Sequence, residues 1–291
     1  MPGVCQNSLM SSLSTRNHDR DVAGLTYVYP VVSRRSGGVS LGINLNPNNA
    51  CNWGCIYCQV PNLKRGGPPA IDLALLEVEL QQMLGVIQHG DFLADQVAED
   101  MRQLTDIALS GNGEPTSAPE FPAVVALIGR VLTEFNLLGV IKLRLITNGS
   151  LLGRPYVQNG LRTMAECAGE VWFKFDRATR AGQRLVNATE CDPEQHYQRL
   201  KIAAALCPTW VQTCMFALDG KEPSSGEVDA WLGLLTRVVR EAVPLQGVLL
   251  YGLARPSLQA QEARLSALPE AWLQGLGQRV EALGLGVRVS P

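Results

Sequence analysis

The feature that most constrains the fold is a regular alternation of short strand-like runs with longer amphipathic stretches. Candidate strands cover residues 40–45, 105–110, 142–147, 170–176, 210–217 and 247–251, with a short seventh run at 287–289. Candidate helices cover residues 73–87, 121–135, 155–167, 193–206, 227–243 and 263–283. Strands that alternate with helices favour a parallel sheet built from repeated βα units. The sequence therefore predicts an α/β fold, as a barrel or an open sheet.

Loops that follow the candidate strands are rich in Gly, Pro, Asn and Asp, as in Gly111-Asn112-Gly113 and Asn148-Gly149. Parallel α/β folds place their chemistry in such loops, at the carboxyl edge of the sheet. The first thirty-odd residues are polar and lack a periodic pattern. We therefore expect a flexible N-terminal arm over residues 1–35 and one core domain with a C-terminal extension over residues 36–291.

Composition narrows the class of protein. The 291 residues carry 25 Lys and Arg against 27 Asp and Glu, a net charge of −2, so a polybasic nucleic-acid arm is not expected. No apolar run reaches the roughly 18 residues of a membrane span, and the start shows no signal-peptide pattern. We expect a cytoplasmic protein. In a reducing cytosol, metal binding or catalysis is favoured over disulfides for its eight cysteines.

The segment after the first candidate strand concentrates three of these cysteines. Cys51, Cys55 and Cys58 stand at positions i, i+4 and i+7 among Asn, Gly and Pro residues. Thiolates at this spacing suit an iron–sulfur cluster or zinc, and no fourth cysteine lies nearby. Three ligands would leave one metal position open, as catalytic sites do. The alternative is three ordinary buried thiols, although this polar loop does not resemble a core stripe.

The pattern Cys-x3-Cys-x-aromatic-Cys, with Tyr57 at the aromatic position, resembles that of the radical S-adenosylmethionine (SAM) enzymes. Residues 33–35, 40–45, 109–116 and 147–150 extend the resemblance to the branch of Fe–S oxidoreductases that includes the wyosine-type tRNA tricyclic-base synthases. This resemblance implies a partial (βα)6 TIM-like barrel. It also implies a [4Fe-4S] cluster on Cys51, Cys55 and Cys58, with SAM bound at the open iron. Reductive cleavage of SAM would give a 5′-deoxyadenosyl radical, with an external one-electron donor such as flavodoxin or ferredoxin.

The same resemblance assigns SAM-binding residues to the loops after the second and third strands. These are Ser110, Gly111, Gly113, Glu114, Thr147 and Asn148, and Tyr57 in the cysteine loop is a further predicted cofactor-binding residue. Glu114 would accept from the SAM amino group, and Asn148 would face the ribose or carboxylate. Asn112 stands where the family motif has a glycine. Taken alone, each of these turns is also compatible with a routine loop.

Three further positions are candidates for substrate or cofactor contacts. Lys174 and Asp176 share one face of the fourth strand by its period of two, so they are either catalytic or an internal salt bridge. Arg177 follows where the family often has alanine. Arg255, after the sixth strand, is a candidate substrate residue, with a solvated arginine as the alternative. The run 33–36, which contains Arg35, is a candidate anion contact, with a solvated charge run as the default.

The remaining cysteines and histidines carry weaker signals. Cys167, Cys191, Cys207 and Cys214 are too widely spaced for a second cluster and are interpreted as structural thiols, and Cys5 stands alone. His18, His89 and His196 are interpreted as surface residues. The predicted function is radical SAM chemistry on an unidentified substrate. Two alternatives are modification of a tRNA base, which the charge balance disfavours, and a non-catalytic iron–sulfur carrier or scaffold.

Overall fold

The computed structural model describes residue 13, residues 24–33 and residues 35–291. Its centre is an eight-stranded sheet in which each strand pairs with the next along the chain. The first pair is antiparallel and all others are parallel. The strands are β1 (Val28–Ser33), β2 (Gly38–Ile43), β3 (Leu104–Leu109), β4 (Lys142–Thr147), β5 (Gly169–Lys174), β6 (Thr209–Cys214), β7 (Leu245–Tyr251) and β8 (Val287–Ser290). The sheet curls into a half-barrel, which confirms the predicted partial TIM-like barrel.

Helices connect the parallel strands and cover the outer face of the sheet. They are α1 (Leu73–His89), α2 (Phe92–Gln96), α3 (Phe121–Glu134), α4 (Pro155–Glu166), α5 (Arg180–Asn187), α6 (Pro193–Leu206), α7 (Ser225–Arg240) and α8 (Glu270–Glu281). Local sequence fixes several of their starts. The Asp72 carboxylate accepts from the Leu75 amide at the start of α1, and α4 and α6 begin at proline. Among the described residues, no helix has the length and apolarity of a membrane span.

Short elements complete the chain. Two-residue strands pair as Ala50–Cys51 with Lys64–Arg65 and as Ala217–Leu218 with Leu265–Ser266. Turns of 3-10 helix occupy Glu99–Met101, Pro115–Ser117 and Glu262–Arg264. The predicted helix over residues 263–283 is wrong at its start, because α8 begins after Pro269, where proline occupies the N-cap. Two short helices, α2 with five residues and α5 with eight, were not predicted from the sequence.

The two faces of the sheet have different chemistry, as β4 shows. Leu143 and Leu145 are fully buried against the helices in the main hydrophobic core. Arg144 and Ile146, which alternate with them, line a cavity on the inner face. Because successive strand residues point to opposite faces, one strand serves both the core and the cavity.

The sequence assigned residues 28–33 to a loose arm, whereas they form the edge strand β1. The physical reason is a distant partner. The buried carboxylate of Glu79 on α1 accepts from the backbone N–H groups of Thr26, Tyr27 and Val28, at 2.7, 2.8 and 3.2 Å. The rest of the predicted arm, with Cys5 and His18, lies outside the described residues apart from Leu13 and residues 24–27 and 35.

Candidate functional site

A cavity of about 870 Å³ opens at the carboxyl ends of the strands and gathers most of the predicted site residues. Its volume is at the upper end of the range for small-molecule pockets, roughly 300–1,000 Å³. The predicted residues that line it are Cys51, Cys55, Tyr57, Cys58, Ser110, Gly111, Gly113, Glu114, Asn148, Lys174 and Arg255. Thr147 and Asp176 lie behind this lining and bond to residues in it.

The base of the cysteine loop is held by two buried asparagines that follow β2. The Asn44 Oδ1 atom accepts from the Asn46 amide at 3.1 Å and from the Asn112 amide at 3.0 Å. The Asn46 side chain donates to the Ala50 carbonyl at 2.9 Å. Since Asn112 lies in the turn after β3, these bonds join the cysteine loop to the neighbouring turn.

One side of the loop is anchored to the end of β5 through Asp176. The Tyr57 hydroxyl donates to Asp176 Oδ2 at 2.5 Å, and the Asn187 side chain donates to the same oxygen at 2.7 Å. Asn187 also contacts the Cys55 Sγ atom at 3.3 Å. The other carboxylate oxygen, Oδ1, accepts from the Cys214 amide at 2.8 Å. Asp176 therefore positions the loop, and its predicted catalytic role stays a prediction.

The other side of the loop is held by the segment after β7. The Ser257 hydroxyl donates to the Ile56 carbonyl at 2.7 Å. The Gln259 side chain donates to the carbonyls of Cys58 and Val60, at 3.1 and 2.8 Å. This segment also carries Arg255 to the cavity. Tethers on both sides fix the loop that carries the thiols.

The donor set of the loop fits an iron–sulfur cluster. Burial raises the pKa of Cys51 to about 11 and that of Cys55 to about 12, so both are neutral thiols when no metal is bound. Among the described residues, no three His, Cys, Asp or Glu side chains converge closely enough to hold a single metal ion. A four-iron cluster does not require the thiolates to converge on one ion, because each thiolate binds a separate iron. The three thiols line one cavity, so each could bind a separate iron of such a cluster, and the fourth iron would then have no cysteine ligand from this loop.

The turn after β3 packs directly on the cysteine loop. A Cβ atom on Gly113 would lie 2.1 Å from the Ala50 carbonyl oxygen, and one on Gly111 would lie 2.4 Å from Asn44 Oδ1. The close approach that requires glycine is thus to the protein's own loop, and approach to a ligand stays a prediction. Within the described part of the chain, the buried Asn112 Oδ1 atom has no hydrogen-bond partner. An unpaired acceptor in the cavity lining fits a ligand that carries an N–H donor, as the SAM amino group does.

Glu114 is a buried hub between the ends of β3 and β4. Its Oε1 atom accepts from the Thr116 amide and hydroxyl and from the Thr147 hydroxyl, at 3.1, 2.6 and 2.6 Å. Its Oε2 atom accepts from the Asn148 amide at 2.7 Å. Burial raises the pKa of Glu114. The carboxylate is largely occupied by protein donors, so the structure gives it a positioning role, and the SAM contact stays a prediction.

Asn148 makes a second bridge to the cysteine loop. Its Nδ2 atom donates to Asn52 Oδ1 at 2.8 Å, while Asn52 donates to the Ser150 hydroxyl at 2.8 Å. The loops after β2, β3 and β4 therefore form one hydrogen-bonded rim. Asn52 was missed by the sequence analysis, although it lies inside the cysteine motif.

Lys174 faces the cavity beside Tyr57. Its Nζ atom lies 3.5 Å from the Tyr57 hydroxyl and 5.2 Å from the centroid of that ring. The two described side chains, those of Lys174 and Asp176, make no direct ion pair, and the Asp176 carboxylate accepts from Tyr57, Asn187 and the Cys214 amide. Burial acts to lower the pKa of Lys174, whereas its neighbours Tyr251, Cys55 and Asp176 act to raise it, and the net direction is upward.

Arg177, at the position where the resemblance implies an alanine, is not among the residues that line the cavity. Its guanidinium is buried and donates to the carbonyls of Asp176 and Cys214, at 2.7 and 3.2 Å. It also lies 5.4 Å from the centroid of the Phe216 ring. The substitution therefore supports the backbone behind β5 and β6.

Two residues that were not predicted as site residues lie at the site or against it. Cys214 is buried and lines the cavity from the end of β6. His196, predicted to be a surface residue, is 1% exposed and packs on Trp53 of the cysteine loop, with ring centroids 5.5 Å apart. Burial lowers the pKa of His196 to about 4, so the ring is neutral at pH 7. His89 is exposed as predicted.

The deeper wall of the cavity holds a charged cluster that sequence reasoning missed. Arg144 on β4 pairs with Asp106 on β3 and with Glu170 on β5, the latter at 2.7 Å. Its guanidinium lies 4.9 Å from the centroid of the Trp172 ring. The available signal was the period of two, because each of these charged residues interrupts an apolar strand and therefore points away from the core.

Similarity to known structures agrees with this arrangement. A radical SAM methyltransferase from Sphaerobacter thermophilus aligns over 90% of this chain and 68% of its own, with a TM-score of 0.58 and 12% identity. The structure of TYW1 with a lysine–pyruvate adduct bound aligns over 84% and 73%, with a TM-score of 0.54 and 14% identity. This chain has the radical SAM fold. The [FeFe]-hydrogenase maturase HydG shares it over 87% of this chain and 51% of its own, with a TM-score of 0.53 and 11% identity.

Sequence relatives of this radical SAM-fold chain are less informative. No family model matches. UPF0026 proteins from two strains of Helicobacter pylori are 30% identical over 134 residues, which is 46% of this chain and 38% of theirs. GTPase Obg from Brachyspira hyodysenteriae is 29% identical over 159 residues, 54% of this chain and 19% of its own length. The matched region thus spans well under two thirds of these curated relatives.

Proposed function

We propose that this protein is a radical SAM enzyme that acts on a small molecule. The observation that carries the proposal is the three-thiol loop, tethered on both sides at the mouth of a large cavity and packed on the glycine turn after β3. The half-barrel fold supports the class of enzyme. A carrier or scaffold has no need of a cavity of about 870 Å³ beside the thiols.

Residues of this chain can be given roles on that proposal. Cys51, Cys55 and Cys58 would hold a [4Fe-4S] cluster, and the rim formed by residues 111–114 and Asn148 would hold SAM. When bound, these cofactors supply reductive cleavage of SAM and hydrogen abstraction by a 5′-deoxyadenosyl radical. Tyr57 and Asp176 orient the thiol loop, and the curled sheet excludes water from the reacting atoms. Lys174 would place its ammonium group beside Tyr57 at the thiol loop.

The size of the cavity and the charge balance support a substrate class. A small molecule, or one extruded base, is the largest group that such a pocket accommodates. The net charge of −2 gives little support to a broad tRNA interface. A tRNA base therefore remains the second candidate. An external donor such as flavodoxin or ferredoxin and a cytoplasmic location belong to the same proposal.

Anaerobic SAM cleavage tests the proposal directly. The protein is reconstituted with iron and sulfide, reduced with dithionite and mixed with SAM, and 5′-deoxyadenosine is measured by mass spectrometry alongside iron content. We expect nucleoside from the wild type and none from the variant with Cys51, Cys55 and Cys58 all replaced by Ala. Cys191→Ala, at a half-buried cysteine outside the cavity lining, is the matched control and should retain iron and product. A loaded cluster that neither binds nor cleaves SAM would favour the carrier.

A further inference from the structure

Arg35 reaches into the cavity from the turn between β1 and β2, on the side opposite the cysteine loop. The turn precedes β2, whereas the cysteine loop follows it. The Arg35 Cζ atom lies 5.2 Å from the ring centroid of Trp172 on β5 and 4.9 Å from that of Tyr251 on β7. All three residues line the cavity. Two aromatic rings thus hold the guanidinium in place by cation–π attraction.

The charge of Arg35 is not neutralised within the described part of the chain. Arg144, which lies over the same Trp172 ring, has two carboxylate partners, Asp106 and Glu170. Arg35 makes neither an ion pair nor a hydrogen bond with any residue that the structure describes; its recorded contacts are the two rings. A guanidinium carries five N–H donors in one plane, and contacts with rings use none of them. These donors are available to a ligand in the cavity.

A second unpaired polar group lies on the strand between the two rings. Gln212 on β6 is 1% exposed, and neither its Oε1 nor its Nε2 atom has a partner among the described residues. The register places Gln212 beside Lys174 on β5 and beside Leu249 on β7. By the strand period it shares the inner face with Cys214, which lines the cavity. Unpaired buried amides are costly, so this region of the wall suits a polar ligand.

We propose that Arg35 binds an oxyanion of the substrate, a carboxylate or a phosphate, in the deep part of the cavity. This inference rests on the proposed function and adds the substrate class: a small anionic molecule whose other end points towards the cysteine loop. The planar fork of arginine matches either oxyanion through two parallel hydrogen bonds. Lys174, which lines the same cavity and lies beside Tyr57 of the cysteine loop, adds a second basic group.

Anion binding is measured on the metal-free full chain, so the result does not depend on radical chemistry. Intrinsic tryptophan fluorescence is followed during titration with inorganic phosphate and, separately, with succinate, at constant ionic strength set with chloride. Because Trp172 lies beside Arg35, we expect a saturable change, and its loss in Trp172→Phe assigns the signal. Arg35→Gln should weaken binding at least tenfold. The stronger of the two anions identifies the oxyanion.

Two variants separate a specific site from a general charge effect. Arg130→Gln removes the same charge from the exposed outer face of α3, where Arg130 pairs with Glu77, and should bind as the wild type does. Arg35→Lys keeps the charge without the fork and should fall between wild type and Arg35→Gln. Thermal melting of each variant shows that it is folded.

Equal binding by wild type and Arg35→Gln, or no saturation in the millimolar range, would overturn the inference. The 5′-deoxyadenosine assay distinguishes this failure from failure of the proposed function. If the protein cleaves SAM but does not bind the anions, only the Arg35 site is refuted and the proposed function stands. If the protein shows saturable binding that depends on Arg35 but neither binds nor cleaves SAM, the anion site is supported and the proposed radical SAM function is refuted.

Discussion

The Tyr57 hydroxyl donates to the Asp176 carboxylate at 2.5 Å and joins residues 119 positions apart in the sequence. Tyr57 lies next to Cys58, and Asp176 also holds Asn187, which contacts the Cys55 Sγ atom. This bond therefore links the aromatic position of the cysteine motif to the end of β5, and its removal is a direct test of how the loop is held.

Tyr57→Phe should lower the free energy of unfolding by about 1.5–3 kcal/mol, the usual contribution of a hydrogen bond to a charged group. It should also lower the iron content after reconstitution, because the thiol loop loses one anchor. Denaturant unfolding and iron analysis measure the two effects. Tyr197→Phe removes the same atom from a bond to Glu241 outside the site and should leave iron content unchanged. Full iron loading in Tyr57→Phe would contradict the anchoring role.

Gly113→Ala should disturb the contact between the glycine turn and the cysteine loop. The added Cβ would lie 2.1 Å from the Ala50 carbonyl oxygen, and overpacking of this kind typically costs about 1–3 kcal/mol. Gly85→Ala on α1 meets open space and should stabilise the protein by about 0.5–1 kcal/mol. Thermal unfolding compares the two variants, and equal stability of both would refute the tight packing.

Glu114→Gln should weaken both the fold and SAM binding. The new amide N–H₂ group replaces the Oε2 acceptor and faces the Asn148 amide donor, which leaves a buried donor unpaired at a cost of about 1–3 kcal/mol. Glu77→Gln, on the surface of α1, serves as the control with little expected change. Unfolding measurements and calorimetric titration of the cluster-loaded protein with SAM give the two readouts. Unchanged SAM affinity would mean that the hub does not shape the SAM site.

His196 predicts a pH dependence of stability. Its pKa is about 4 in the folded protein and near 6.5 in an unfolded chain. Between these values the unfolded state binds more protons, so its contribution to stability is present above pH 6.5 and is lost as the pH falls towards 4. The loss is on the order of 3 kcal/mol. His196→Gln should flatten this slope, whereas the exposed His89→Gln should not change it.

Much of the fold was predictable because local sequence and tertiary packing agree. The strand over residues 142–147 and the helix over residues 193–206 match the structure at both ends. β1 was missed because its partners, β2 and Glu79, are distant in sequence or not apparent from pattern. The start of α8 was predicted too early. Residues 265–266 pair with residues 217–218 as a short strand, and the helix begins only after Pro269.

In the candidate site, too, features that depend on local sequence were predictable and features that depend on distant neighbours were not. The three cysteines and the turn after β3 were predictable from short motifs, and the structure brings them to one cavity. His196 was wrongly predicted to be a surface residue because its burial depends on neighbours from other elements, and the position of Cys214 at the cavity depends on them too. Arg35 was visible only as part of a charge run, and its position between two rings required the curl of the sheet.

The bond from Ser257 to the Ile56 carbonyl spans 201 residues, and it bears on how the protein matures. During synthesis the thiol motif leaves the ribosome long before the segment that tethers its second side has been made. A nascent chain that ends before residue 257 presents Cys51, Cys55 and Cys58 on a loop held from one side only. On the proposed function, stable loading of a metal centre on these thiols would await synthesis of the segment that carries Ser257.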